Sequence, residues 1–217
     1  MTLSETKYRE IVDCYITPLM RRLGFDEKRK GWFYLLDDSC TKRVACGFSK
    51  TRGEDAGSIS VTVCVGFKAL EDFLSECKEL TKHVNVQLDK RACTMASNLG
   101  HLADPPRYLS WEITPESDVA RIGRDICLRI ESDGLKFFAD YGTVKLAVSA
   151  WRSGTRYNLG NLAVLYLAAY DWLQGNREGA LFDLRDAVIS ADAPSTRHTY
   201  TCLLNHLESL PPGPDSP

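Results

Sequence analysis

The sequence predicts an α+β fold: an antiparallel β-sheet packed by an N-terminal helix and followed by a helical C-terminal region. Three observations point there. Between Gly57 and Phe67 apolar and small residues alternate, the period of a half-buried antiparallel strand. Before it, Tyr8, Ile11, Val12, Tyr15, Leu19 and Leu23 recur mostly at three and four, as one buried helix stripe requires. After Ile113 helical spacing takes over.

Taken in order, the first helix runs from Glu5 to Leu23. Pro18 lies inside it and removes a backbone donor, so a kink is expected near Thr17, and Gly24 ends the helix. "WFYLL" and "RVACGFS" are rich in β-formers, and "DDSCTK" between them has the polar composition of a hairpin loop that includes Cys40. Trp32 and Tyr34 then share one strand face and Phe33 the other, while Val44, Cys46 and Phe48 share a core face. In "GSISVTVCVGF", Ile59, Val61, Val63, Val65 and Phe67 point one way, and Ser58, Ser60, Thr62, Cys64 and Gly66 the other. "KALEDFLSECKEL" reads as a short helix, "VNVQL" and "RACTMAS" as returns to the sheet, and "RYLSWEI" as a last strand with Leu109, Trp111 and Ile113 on one face. The sheet is thus expected to hold four to six strands.

From Thr114 the chain is read as helical. Thr114 is suited to cap and Pro115 to the first helical position, Val119, Ile122, Ile126 and Ile130 form a stripe, and Gly134 is the expected stop. Another helix is expected over 143–151, facing Val144, Val148 and Trp151 inward. Leu159, Leu162, Tyr166, Ala169 and Leu173 form the next stripe, "QGNRE" a tight connection, and Leu181, Leu184 and Val188 a further stripe, which together make an αα-hairpin. It looks like one tetratricopeptide-type unit, with Tyr170, Gly175 and Ala180 in fitting places, but no second copy follows at that period. A lone unit of this kind needs something to pack on. A last helix is expected after Ser195, ending near Leu210. The expected division is an α+β domain over 1–152, a helical extension over 153–210 packed on it, and a disordered tail over 211–217.

A chain of 217 residues with 44% apolar content can bury an ordinary core. Its 27 Lys and Arg against 29 Asp and Glu supply no field that would steer it to nucleic acid or acidic lipid. The first residues begin a helix pattern and not a signal peptide, and no apolar run approaches the ~18 residues of a membrane helix. A cytoplasmic protein is expected, with no membrane and no nucleic acid among its partners. Eight cysteines without any C-x-x-C spacing argue for reduced thiols, most of them small core residues.

The order "PLMRRLGF", "GWFYLL", "GFSKTRG", "ISVTVCVGF", "CTMASNLGHL" and "LSWEI" resembles an uncharacterised bacterial family, domain of unknown function 4304, over roughly the first two thirds of the chain. Family members commonly carry a Trp pair where this sequence has Ser110 and Trp111. The resemblance implies an α+β architecture and a bacterial cytosolic setting, and it carries no activity, cofactor or catalytic residue.

Four candidate sites arise. Trp32, Tyr34, Phe48 and Trp111, with Phe25 beside them, are the residue types that line a peptide- or ring-binding groove, and equally those that fill a core. Arg21, Arg22, Lys28, Arg29 and Lys30 lie next to the aromatic strand, but Asp26, Glu27, Asp37 and Asp38 interrupt them, so a solvated helix end is expected. His198, Cys202 and His206 recur every four residues; His198 and His206 stand about 12 Å apart along a helix axis, too far to share one ion with ~2 Å bonds. The stripe is expected to face water and no metal site is assigned. Cys64, on the small-residue face, is the candidate nucleophile should His83 or His101 reach it. No catalytic constellation and no cofactor motif appear, which leans against an enzyme. The function expected is non-enzymatic binding of another protein, a peptide or a second copy, as an immunity-type or self-associating module would do; the rival is a small-molecule enzyme using Cys64.

Overall fold

The computed structural model describes residues 2–36, 40–83, 94–154 and 162–211, with backbone alone at 81–83. The chain divides into two compact units, Met1–Gly66 with Cys93–Ala147, and Phe67–Ala92 with Val148–Pro217. The expected division near residue 152 is therefore corrected: the segment beginning at Phe67 belongs with the C-terminal helices. The reason is packing, because the helices of that segment bury Leu70, Phe73 and Leu74 and lie against the C-terminal ones.

The first unit opens with α1 (Leu3–Ile11), a π-helical turn (Val12–Ile16) and α2 (Thr17–Arg22). Thr2 and Glu5 form a capping box, and Asp55 accepts hydrogen bonds from the Leu3 and Ser4 amides at 3.1 and 3.0 Å. Those bonds hold the Asp55 carboxyl below its ordinary pKa. Pro18 falls in the first turn of α2, directly after the π turn. The missing donor is thus absorbed by a wider turn and the helix continues. Gly24, at φ +83°, ends it, with the Gly24 and Phe25 amides donating to Arg21 and Met20.

The sheet has six strands: β1 (Asp26–Arg29), β2 (Trp32–Leu36), β3 (Cys40–Lys50), β4 (Gly57–Phe67), β5 (Met95–Asn98) and β6 (Ser110–Ile113). The order is β1-β2-β3-β4-β5, and β6 also pairs with β4. Thr62–Val65 of β4 align with β5 and Gly57–Ser60 with β6, both antiparallel. Asn98 joins these two short strands: its Oδ1 accepts from the Gly100 and Leu109 amides at 2.9 Å, and its Nδ2 donates to the Leu109 carbonyl. Ile59, Val61, Val63 and Val65 are fully buried, each worth roughly 1.5–3 kcal/mol over exposure. Cys40 begins β3 and is buried, so it is not a loop residue.

Thr114 and Pro115 do not start the next helix. Ser117 turns back on Thr114, and Asp118 caps α5 (Val119–Arg129) by accepting from the Arg121 amide at 3.0 Å. Gly134 does not stop it either; a π turn (Ile130–Gly134) leads into α6 (Leu135–Tyr141). A Cβ at Gly134 would lie 3.4 Å from Val63 Cγ1, an ordinary packing contact, so the helical backbone there does not depend on glycine.

The second unit holds α3 (Lys68–Glu76), α4 (Lys78–His83), most of α7 (Val144–Arg152), α8 (Leu162–Leu173), α9 (Arg177–Ser190) and α10 (Pro194–Ser209). Phe67, Trp151 and Tyr166 pack ring to ring, at 6.3 and 5.9 Å between centroids. The αα-hairpin is present: Gly175 takes φ +83° and the Asn176 side chain caps α9 through the Gly179 amide. α3 packs on α8 and α10 packs on α9, so the lone repeat-like pair is flanked by helices that are not repeats. Leu159, the "VNVQL" strand, "DDS" of the hairpin loop and residues 212–217 of the tail lie outside the described residues.

Candidate functional site

In an antiparallel ladder directly paired residues share a face. Trp32 pairs with Ala45, Phe33 with Val44 and Tyr34 with Arg43, so Trp32, Tyr34 and Arg43 stand together on one face of the sheet. Phe48 belongs to the other face, where it stacks on Tyr8 of α1 at 5.1 Å. Trp111, 8% exposed, pairs with Ile59 and donates its Nε1–H to Asp125 of α5 at 2.6 Å. The four predicted aromatics therefore do not line one groove. Tyr34 and Trp111 are buried, and Trp32 and Phe48 are both half-exposed, on opposite faces of the sheet.

Trp32 carries two guanidinium groups. Arg29, directly opposite it on β1, has its Cζ 3.5 Å from the ring centroid, and Arg43 on β3 has its Cζ at 4.8 Å. Such contacts are worth about 0.5–2 kcal/mol each. Arg43 also donates to Cys64 Sγ at 3.0 Å, which puts Cys64 on the same face. The basic segment at Lys28–Lys30 is correspondingly not a solvated helix end: residues 26–29 are strand β1 at the edge of the sheet. A short charged edge of this kind resists pairing with other chains.

Cys64 is 1% exposed and disulfide-bonded. The expectation of reduced thiols fails at this residue, and a sulfur in a disulfide offers no thiolate nucleophile. Cys14, Cys40, Cys46, Cys77, Cys127 and Cys202 are reduced. His101 is exposed and packs edge-on to Tyr108 at 6.0 Å, while the side chain of His83 lies outside the description.

In the second unit His198 is exposed, as expected of this stripe, and with half-buried Cys202 and His206 it lines an open cleft of about 480 Å³ against Glu76, Cys77, Lys78 and Glu79. Cys202 Sγ lies 3.6 Å from His198 Nε2, and Cys77 Sγ donates to the Cys202 carbonyl at 3.5 Å. Burial pushes both thiols above their ordinary pKa, the opposite of what a thiolate nucleophile needs. Among the described residues no group of three or more His, Cys, Asp or Glu is arranged to hold a metal ion.

Two large apolar side chains stand uncovered on the outer face of α9, interleaved with the exposed charged residues Arg185 and Asp186. Ala180 and Leu184 are fully buried, whereas Phe182 is 71% and Ile189 79% exposed. Seven residues apart, these two lie on one helix face roughly 10 Å from each other. Periodicity had assigned α9 a single inward stripe of Leu181, Leu184 and Val188; the second one was visible as apolar residues at 182 and 189, outside that stripe.

No described helix is long and apolar enough to cross a membrane. No family model, curated protein or solved structure matches the chain.

Proposed function

We propose that the protein is a non-enzymatic module that binds another protein or peptide, with the outer face of α9 as its docking surface. Neighbouring large apolar side chains on a surface helix are normally covered, and α9 holds two of them in water with the charges of Arg185 and Asp186 between them. Phe182 and Ile189 carry the reading. Large apolar side chains that project together from a surface helix are the anchors of helix-mediated recognition.

The partner is a protein surface or peptide offering an apolar groove, and a second copy of the chain is one such surface. The same reading puts the protein in the cytoplasm. The cysteines without a disulfide, Cys14, Cys40, Cys46, Cys77, Cys127 and Cys202, support that placement, and the disulfide at Cys64 argues against it.

Light scattering over a range of protein concentrations tests the self-associating version. A mass that rises with concentration for the native chain and stays monomeric for Phe182→Asp/Ile189→Asp supports it, and a strict monomer throughout removes it, leaving the heterologous partner.

A further inference from the structure

Arg29 and Arg43 share the ring of Trp32, and neither forms an ion pair with a described carboxylate. The nearest acidic side chains on β1 are engaged by lysines, Asp26 by Lys28 at 3.6 Å and Glu27 by Lys30 at 3.9 Å. Arg43 is half-buried; one guanidinium nitrogen reaches the weak acceptor Cys64 Sγ, and its Nε is shielded from water with no acceptor. Two like charges held on one indole, with no described carboxylate beside either, leave their solvent-facing guanidinium donors open to an anion.

The ligand that would complete them is an oxyanion. A guanidinium presents a planar fork of donors matched to the oxygens of a carboxylate or phosphate, and bonds between ionised partners are about twice as strong as neutral ones. Trp32 is the ring on which both guanidiniums are held, so its fluorescence reports on what binds them. From this geometry we propose that the face formed by Arg29, Trp32 and Arg43 binds an acidic peptide segment through one carboxylate or phosphate group. A nucleic acid is a poorer occupant, because it needs a track of cations along its backbone, and the chain has 27 basic against 29 acidic residues. The site lies on the sheet, in the first unit, and is independent of the α9 face.

The test uses the full chain and two probes, an N-acetylated triglutamate peptide and inorganic phosphate, followed by tryptophan fluorescence at constant ionic strength. Saturable binding of either probe, weakened at least about tenfold in both Arg43→Gln and exposed Arg29→Gln, is the expected result. The probe that binds tells whether a carboxylate or a phosphate is the preferred group. Arg185→Gln, which alters an exposed pair with Glu208, should bind as the native chain does. Absence of saturable binding by both probes overturns the proposal, as does equal binding by Arg29→Gln, whose exposed position protects the fold. Tighter binding of an oligothymidylate than of either probe also overturns it.

Discussion

The phenol of Tyr8 on α1 donates a 2.9 Å hydrogen bond to the carbonyl oxygen of Cys46 on β3. Room for it comes from Gly31, at φ +74°, where a Cβ would stand 2.5 Å from the phenol oxygen. Tyr8→Phe should therefore cost about 1 kcal/mol in urea unfolding. Burial pushes the Tyr8 pKa up to about 12 from 10.0. A folded pKa above the unfolded one means this contribution is intact below pH 10 and is lost as the pH rises through 12. Stability measured against pH across that window should fall less steeply for Tyr8→Phe than for the native chain.

Gly123 of α5 faces Tyr15, and a Cβ there would come within 2.5 Å of the ring. Glycine to alanine inside a helix ordinarily gains about 1 kcal/mol, but overpacking costs roughly 1–3 kcal/mol. Gly123→Ala should destabilise the chain in thermal unfolding, and adding Tyr15→Ala should recover part of the loss.

Asp171 on α8 is buried and meets Arg152 of α7 at 2.6 Å. Arg152 is itself half-exposed, which screens the pair, so Arg152→Met should cost about 1–2 kcal/mol in chemical denaturation, below the range of a fully buried pair. Asp171→Asn removes the charge that needs compensation and should cost clearly less.

Thiol labelling should divide the reduced cysteines by exposure. Cys14 is exposed and Cys46 is buried, and burial raises the Cys127 thiol to about 11. At neutral pH iodoacetamide should modify Cys14 first, with Cys46 and Cys127 following only on unfolding. Mass spectrometry of the time course reads this directly.

Where one principle governed a segment, the sequence predicted the structure. The period of two in β4 reappears from Gly57 to Val63, beyond which both faces are buried, and so does the turn chemistry of Gly175 and Asn176. Where two competed, it did not. Gly134 reads as a helix stop, yet it keeps helical dihedrals at the end of the π turn and α6 follows directly. Thr114 and Pro115 have cap chemistry, but Asp118 takes the cap. β1 is "DEKR", with no β-former, and is held by its partner strand β2. That omission hid the candidate anion site, since Arg29 reaches Trp32 only through β1. The exposed Phe182 and Ile189 escape that reading for another reason: helical periodicity picks out the buried side and leaves apolar residues outside the stripe unassigned.

The central claim, that the outer face of α9 docks a protein, is tested most directly by quantitative comparison of what co-purifies with the native chain and with Phe182→Asp/Ile189→Asp in the same cells. A differently tagged second copy is expressed alongside. Both residues are exposed, so the double variant should retain its melting temperature. The account predicts that at least one protein, or the second copy, is retained by the native chain and lost from the variant. Identical sets of retained proteins, with the second copy absent from both or present equally in both, would contradict it.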